Sequence, residues 1–240
     1  MNSPKRLARM AGVLYLAVGI CGAFAQGFVD LKLYAAGNAA ATAGNVVANA
    51  GLVRMGVVAH LVDGAFFALT ALTLYVLLKH VHQSVARAML VFVVIAVGMI
   101  SLNAVFQFEG LQVATDGSYA TAFGAAGSNA MVMILIEIQH FGTLAAQVFF
   151  GLWLAPLGYL AFKSGLFPRA LGVVLVVATV SYLVDLLAAF SSPDLAKQIH
   201  PFLVIVPAIA EIWMVLYLLV VGVRTPREAD SAPTAAIGPS

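Results

Sequence analysis

Residues 131–162 read MVMILIEIQHFGTLAAQVFFGLWLAPLGYLAF. The segment is almost entirely apolar and longer than the 20 or so residues that a helix needs to cross a bilayer at about 1.5 Å per residue. Its first third carries Glu137 and His140, three residues apart on one helical face that Thr143 and Gln147 continue. Because ionisable side chains in hydrocarbon are costly and commonly mark a functional site, this stretch predicts a membrane-spanning helix with a buried polar site.

The composition of the whole chain supports lipid as its solvent. Of its 240 residues, 62% are hydrophobic and 9% are charged, with a mean hydropathy of +1.02, whereas soluble domains carry about 25% charged residues. A formal net charge of +2 excludes a nucleic-acid-binding protein. The single cysteine, Cys21, excludes an internal disulfide framework and a cysteine-based zinc or iron–sulfur site.

Six apolar segments predict an all-α fold, a six-helix transmembrane bundle formed by one domain over residues 1–223. They cover residues 10–29, 52–78, 88–110, 131–162, 170–190 and 202–223. We expect the first segment to be retained as a span instead of being cleaved as a secretory signal, because it exceeds a usual signal core and carries a face suited to helix packing.

The segments between the spans are predicted from their composition. Asn38 is placed to cap a short alanine-rich helix at the membrane interface. We expect residues 111–130 to form a loop with at most a short helix near Tyr119, and His200 to lie in a loop outside the site. The polar tail, residues 224–240, is predicted to be disordered.

The distribution of basic residues predicts that both termini are cytoplasmic in a bacterial inner-membrane, multi-pass protein. With that orientation the cytoplasmic side carries Lys5, Arg6, Arg9, Lys79, Arg87, Lys163, Arg169, Arg224 and Arg227, and the outer side carries Lys32, Arg54 and Lys197.

Polar residues on five spans then fall at a common depth, about 8 to 16 Å from the outer helix ends at 1.5 Å per residue. The residues predicted to form a ligand- or proton-binding pocket are Arg54, His60, Asp63, Asn103, Glu137, His140, Tyr182, Asp185 and Glu211. The four acids among them would carry about four negative charges if ionised, which low dielectric does not tolerate unpaired. Protonation, an inward-turned Arg54 or a bound cation would each relieve that charge.

Three functional hypotheses follow from this pocket. One is binding or transport of a cation, protons or a small ligand in the outer half of the bilayer. A second is a metal-dependent hydrolase acting on a lipid-like substrate, with zinc, iron or manganese held by Glu137, His140, Asp185 and Glu211. The third is a purely structural role in which the polar groups fasten helices together. Haem ligated by two histidines fits poorly beside so many acids, and the sequence assigns no catalytic residue and no oligomeric state.

Several stretches resemble a bacterial membrane family known as domain-of-unknown-function family 4386. They are ARMAGVLYL (8–16), AAATAGNVVANAG (39–51), LVRMGVVAHL (52–61), VFFGLWLAPLGYLAFKSGLFPRALGVVL (148–175), SYLVD (181–185) and AEIWMVLYLLV (210–220). The resemblance extends over about residues 7–223 and implies a six-helix inner-membrane protein without an established activity. It also implies that Arg54, His140, Asp185 and Glu211 occupy matching polar positions, and that His60 stands where an Asp is common.

Overall fold

A computed structural model describes residues 3–224, and these residues form an all-helical fold with six helices long and apolar enough to cross a membrane. The first span comprises α1 (Pro4–Phe24), a π-helical segment (Ala25–Asp30) and α2 (Leu31–Leu33). The other elements are α3 (Ala39–Ala48), α4 (Ala50–Leu78), α5 (Gln83–Thr115), α6 (Gly117–Ser164), α7 (Arg169–Ser191), α8 (Pro193–Leu203) and α9 (Ile205–Val220). The predicted six-span, all-α architecture is confirmed.

The six spans form a closed ring. Each of α1, α4, α5, α6 and α7 packs against the span that follows it, and α9 packs back against α1. Large apolar side chains such as Val58, Leu102 and Ile209 point outward and are more than half exposed. An apolar exterior of this kind is what lipid solvates, so the ring is built to sit in a bilayer.

The two ends of the ring differ. At one end, which we call the terminal end, Gly222 lies beside the backbone of Lys5, and the Arg224 amide donates to the Leu166 carbonyl at 3.0 Å. The chain therefore enters and leaves the bundle on the same side, as six spans require. The opposite end carries α3 and α8, and we call it the α3–α8 end. The assignment of the terminal end to the cytoplasm stays a prediction.

Small residues allow the closest helix contacts. At the crossing of α6 and α7, a Cβ built on Gly158 would lie 2.6 Å from the Gly172 carbonyl oxygen, and one built on Gly172 would lie 2.7 Å from that of Gly158. No side chain larger than hydrogen fits at either position without moving the backbone. Close approach through small residues is a common way for membrane helices to gain packing energy where lipid offers no hydrophobic drive.

The predicted alanine-rich helix is present as α3. Its N-cap is Asn38, whose side-chain oxygen accepts a hydrogen bond from the Ala41 amide at 2.9 Å. Val46 is fully buried where α3 packs over the ends of α5 and α6. The location of α3 at a membrane interface stays a prediction, and the tail predicted to be disordered lies outside the described residues from 225 onward.

Two of the predicted loops were wrong. Within 111–130, α5 continues to Thr115 and α6 begins at Gly117, with the Asp116 carboxyl accepting from the Ser118 amide at 2.9 Å. Alanine, the best helix former, outweighs the glycines there, and only Gly124 interrupts the helix, with φ 72° and ψ 161°. The loop predicted to contain His200 is α8, which begins at a proline, a residue suited to the first helical turn.

Candidate functional site

A polar interior opens between the helices of the ring in three chambers. The largest, the Asp185 chamber, has a volume of about 450 Å³ and polar walls formed by Gln147, Ser181, Tyr182, Asp185, His200 and Glu211. The Asp30 chamber has a volume of about 200 Å³ and polar walls formed by Gln26, Asp30, Tyr34, Gln139, His140, Thr143 and Gln147. The Asp63 chamber has a volume of about 190 Å³ and polar walls formed by Tyr15, Gln26, Asp63, Tyr182 and Glu211.

The three chambers share wall residues and therefore adjoin one another. Gln147 lines both the Asp185 and the Asp30 chambers, and Gln26 lines both the Asp30 and the Asp63 chambers. Tyr182 and Glu211 separate the Asp185 chamber from the Asp63 chamber and line both. Of the nine residues predicted to form the pocket, these chambers are lined by Asp63, His140, Tyr182, Asp185 and Glu211.

Asp30 is the most heavily bonded carboxyl in this interior. Its Oδ1 accepts from Gln107 Nε2 and its Oδ2 accepts from Gln139 Nε2, both at 2.8 Å, and His60 Nε2 lies 3.1 Å from Oδ2. These three partners come from α5, α6 and α4. Since Asp30 belongs to the first span, one carboxyl connects four of the six spans. The π-helical turn at Ala25–Asp30 places it at this junction.

Glu211 is held by two tyrosines. Tyr15 of α1 donates its hydroxyl to Oε2 at 2.8 Å, and Tyr182 of α7 donates to Oε1 at 2.9 Å. Each carboxyl oxygen therefore has one phenol donor, and three helices meet at this residue. The Tyr15 ring in turn packs edge-on against Trp153, with ring centroids 5.4 Å apart.

Asp63 differs from both of these carboxyls. It is only 2% exposed, and its Oδ1 has no hydrogen-bond partner within residues 3–224. A Cβ built on Gly22 of α1 would lie 3.7 Å from that oxygen, so the facing wall of the Asp63 chamber is glycine backbone. A buried carboxyl oxygen without a donor is energetically costly unless a proton or a cation completes it.

Asp185 is paired with a residue from the α3–α8 end. His200 of α8 places Nδ1 2.8 Å from Asp185 Oδ2. The Asp185 side chain is 10% exposed whereas that of His200 is 58% exposed, so the Asp185 chamber reaches the protein surface beside His200. The prediction that His200 lies in a loop outside the site was wrong, because α8 folds back over the end of α7 and brings the imidazole to Asp185.

Tyr34 contacts both Glu137 and His140. The Tyr34 hydroxyl donates to Glu137 Oε1 at 3.1 Å, and its ring stacks on the His140 ring with centroids 4.9 Å apart. Burial and the hydrogen bond to Glu137 raise the pKa of Tyr34. Of the helical face predicted from the sequence, His140, Thr143 and Gln147 line the Asp30 chamber, while Glu137 lies outside its wall.

Arg54 and Asn103, also predicted to line the pocket, lie outside the chamber walls and contact none of their carboxyls. Arg54 is exposed on the outer face of the ring, in a groove between α1 and α4 that shares no wall residue with the three chambers. Asn103 is 6% exposed and packs against the backbone of α6 at Gly142, where an added Cβ would overlap its amide group. The arrangement in which Arg54 turns inward to neutralise the acids is therefore not the one observed.

The four residues predicted to bind a metal are not brought into one group. Glu137 and His140 contact Tyr34, Asp185 contacts His200, and Glu211 contacts two tyrosines. Within residues 3–224 no three side chains of His, Cys, Asp or Glu lie close enough together to hold a metal ion. The donor set for a zinc, iron or manganese centre is thus incomplete at each of these places.

A family model described as Domain of unknown function (DUF4386) matches residues 10–222. The chain belongs to this family. The match extends over all six spans and every wall residue of the three chambers, so the polar interior lies within the region that defines the family. No curated protein and no solved structure matches the chain.

The hydrogen bonds of this interior involve six polar residues that were not among those chosen from the sequence. They are Tyr15, Asp30, Tyr34, Gln107, Gln139 and His200. Gln107 could have been chosen from the sequence, because it shares a helical face with Asn103. No sequence pattern indicated Asp30 as a site residue, because it directly follows the apolar run that ends at Val29 and resembles the first residue of a polar connection.

Proposed function

We propose that this DUF4386 family member binds a small organic cation, such as a primary amine, in the polar interior of its helix ring. The ammonium group would sit between Asp63 and Glu211, and the remainder of the molecule would extend toward Asp185. Ligand pockets typically have volumes of about 300–1,000 Å³, and the Asp185 chamber alone falls in this range at about 450 Å³.

The proposal rests on the missing hydrogen-bond partner of the Asp63 carboxyl. If the polar residues served only to fasten helices, every buried carboxyl would be expected to have its partners inside the protein. Asp30 and Glu211 meet that expectation, whereas the buried Oδ1 of Asp63 has no partner within residues 3–224, and Asp63 lines a chamber. A cation in the chamber would supply this carboxyl with a partner.

The chemistry of the walls supports a cation over an anion or a neutral ligand. The residues that line the three chambers include the carboxyls of Asp30, Asp63, Asp185 and Glu211 and no Lys or Arg. The same walls contain the rings of Tyr15, Phe67, Phe150, Trp153 and Tyr182. Aromatic faces attract cations through the ring quadrupole, and the attraction is stronger where water is excluded.

Among the described residues, an opening of the site lies beside the exposed His200 at the α3–α8 end, and the terminal end is closely packed. Trp153 packs edge-on against Phe67 with centroids 5.1 Å apart, and Phe67 stacks on Phe150 at 5.6 Å, which forms an aromatic floor below the Asp63 chamber. Beyond this floor the terminal end is filled by fully buried side chains such as Leu74 and Leu154. With the terminal end cytoplasmic, as the basic residues predict, the cavity would load from the outer side, either as a binding protein or as one state of a transporter.

The test is calorimetric titration of purified protein in nanodiscs with benzylammonium, beside its neutral counterpart benzyl alcohol. Wild type is expected to bind benzylammonium and not benzyl alcohol. Asp63→Asn should weaken benzylammonium binding at least tenfold, because a hydrogen bond to a charged group contributes about 1.5–3 kcal/mol and each 1.4 kcal/mol is tenfold in Kd.

The matched control is Asp194→Asn, the same carboxyl-to-amide change on the α8 surface, where the side chain is 94% exposed. This variant should bind as wild type does, and the thermal unfolding midpoint of each variant should verify its fold. Equal binding of benzyl alcohol, wild-type affinity in Asp63→Asn, or no binding by folded wild type would refute the proposal.

A further inference from the structure

A second concave surface lies on the lipid-facing side of the ring, between α1 and α4. It has a volume of about 430 Å³ and is lined by Arg54 and by six apolar residues, Cys21, Phe24, Met55, Val58, Ala59 and Val62. We call it the α1–α4 groove. None of its lining residues lines the interior chambers, so it is a separate site and does not depend on the proposed cation pocket.

Two small residues, Cys21 and Ala59, form the floor of the groove. The larger side chains of Met55 and Val58 project beside them and are 60% and 59% exposed, respectively. The two helices approach closely beside it, since a Cβ built on Gly56 would lie 2.8 Å from Val29 Cγ1. The result is a shallow, open channel along the lipid-facing side of the helix pair.

Arg54 occupies one end of this channel. It follows the start of α4 at Ala50 by four residues, so it lies about 6 Å along the helix from the α3–α8 end at 1.5 Å per residue. Arg54 is exposed and forms no ion pair among residues 3–224. A guanidinium at this level is close enough to the boundary to meet a lipid headgroup.

A second cation lies at the same end of α1. Lys32 Nζ sits 4.0 Å from the centroid of the Phe28 ring, and Phe28 stacks on Phe24, a wall residue of the groove. Both positive charges are thus at the headgroup end of the channel. From Arg54 to Val62 the apolar part extends about 12 Å toward the bilayer centre, at 1.5 Å per residue.

We infer that the α1–α4 groove binds an anionic phospholipid. The phosphate and its anionic headgroup pair with Arg54, and Lys32 adds a weaker, longer-range attraction. One acyl chain lies in the apolar channel over Cys21 and Ala59. Basic residues beside membrane helices recognise anionic headgroups in this way, and the guanidinium suits phosphate because its donors form a planar fork.

Native mass spectrometry of the detergent-solubilised full chain tests the inference, with phosphatidylglycerol compared against zwitterionic phosphatidylcholine of the same chain length. Wild type should retain phosphatidylglycerol preferentially, and Arg54→Gln should weaken that binding about fivefold. A fivefold change is about 1 kcal/mol at 1.4 kcal/mol per tenfold, the contribution of one basic residue near an anionic surface. Lys163→Gln, an equal loss of charge on an exposed residue at the terminal end, should bind as wild type does.

Two further experiments distinguish lipid binding in the groove from nonspecific electrostatic attraction. Ala59→Phe fills the channel without changing the charge and should reduce phosphatidylglycerol binding as Arg54→Gln does. A phosphatidylglycerol with a photoreactive acyl chain should form adducts within residues 21–24 and 55–62. Equal retention of the two lipids, unchanged binding in Arg54→Gln, adducts elsewhere, or a dimer whose interface occupies the groove would each overturn the inference.

Discussion

Replacing Asp30 by alanine should destabilise the protein more than any other single carboxyl change in the interior. The substitution removes the acceptor for Gln107 and Gln139, each at 2.8 Å, and the partner of His60 at 3.1 Å. His60 and Gln107 are at most 3% exposed, so the substitution leaves buried donors whose only new partner would be water entering from the Asp30 chamber.

The expected magnitude follows from the number of bonds. A side-chain hydrogen bond between membrane helices contributes about 0.6 to 2 kcal/mol, and bonds to a charged group lie toward the upper part of that range. Three such bonds give a loss of about 2 to 6 kcal/mol in the free energy of unfolding. Helix content should change little in the folded state, because each span retains its own backbone bonds.

The assay is reversible unfolding from mixed micelles of dodecyl maltoside and sodium dodecyl sulfate, followed by circular dichroism. Asp194→Ala, at an exposed carboxyl on α8, is the control and should change the free energy of unfolding by less than about 0.5 kcal/mol. A double variant, Asp30→Ala with His60→Ala, should be less destabilised than the sum of the two single variants, since contacting residues typically couple by about 0.5–3 kcal/mol. A loss below about 1 kcal/mol in Asp30→Ala, or strict additivity with His60→Ala, would refute this account of the junction.

Two other predictions concern helix packing and metal content. Gly158→Ala should destabilise the fold by about 1–3 kcal/mol in the same unfolding assay, because its Cβ would clash with the α7 backbone at Gly172. The control is Gly98→Ala, which should be neutral or slightly stabilising because no atom lies within 4 Å of the added Cβ. Elemental analysis of purified protein should find no stoichiometric zinc, iron or manganese, since no three potential ligands cluster within residues 3–224; near-stoichiometric metal that is lost in both His140→Ala and Glu137→Gln would contradict that expectation.

The spans were predictable from the sequence because hydropathy is a property of the segment itself. A run such as residues 52–78 has to be helical in a bilayer, where every backbone group needs an internal partner, and the structure has α4 over Ala50–Leu78. The common depth of the polar residues is a prediction of the same kind, since depth follows from counting along a helix. Five of those residues, Asp63, His140, Tyr182, Asp185 and Glu211, line the adjoining chambers.

The orientation of side chains about each helix axis was not predictable in the same way. Arg54 and His60 lie on the same span at neighbouring depths, yet His60 faces the junction at Asp30 and Arg54 faces the lipid side. Which face turns inward depends on packing against α1 and α5, and no pattern within α4 records it. His200 was missed for a related reason, because its partner Asp185 becomes adjacent only when α8 folds back over α7.

Asp30 could not be identified as an interior residue from hydropathy, because its position depends on a local change of helix geometry. Hydropathy ends the first span at Val29, and a carboxyl directly after an apolar run is ordinarily a boundary residue. The π-helical turn at Ala25–Asp30 and the extension to Leu33 keep the chain helical past this point and rotate Asp30 inward. A π-helical turn is rare and is found frequently at functional sites, but its position depends on the surrounding helices.

Helix fastening and ligand binding were rival explanations of the polar interior, and we assign them to different carboxyls: Asp30 joins helices, and Asp63 is proposed to bind the ligand. Asp30 has donors for both of its oxygens from the protein itself, so its charge is already used to join four spans. Asp63 has a buried oxygen with no such donor among residues 3–224, and it faces a chamber. The two residues should therefore respond to different measurements. Loss of Asp30 should lower the free energy of unfolding, whereas Asp63→Asn should weaken cation binding at least tenfold without a comparable loss of stability.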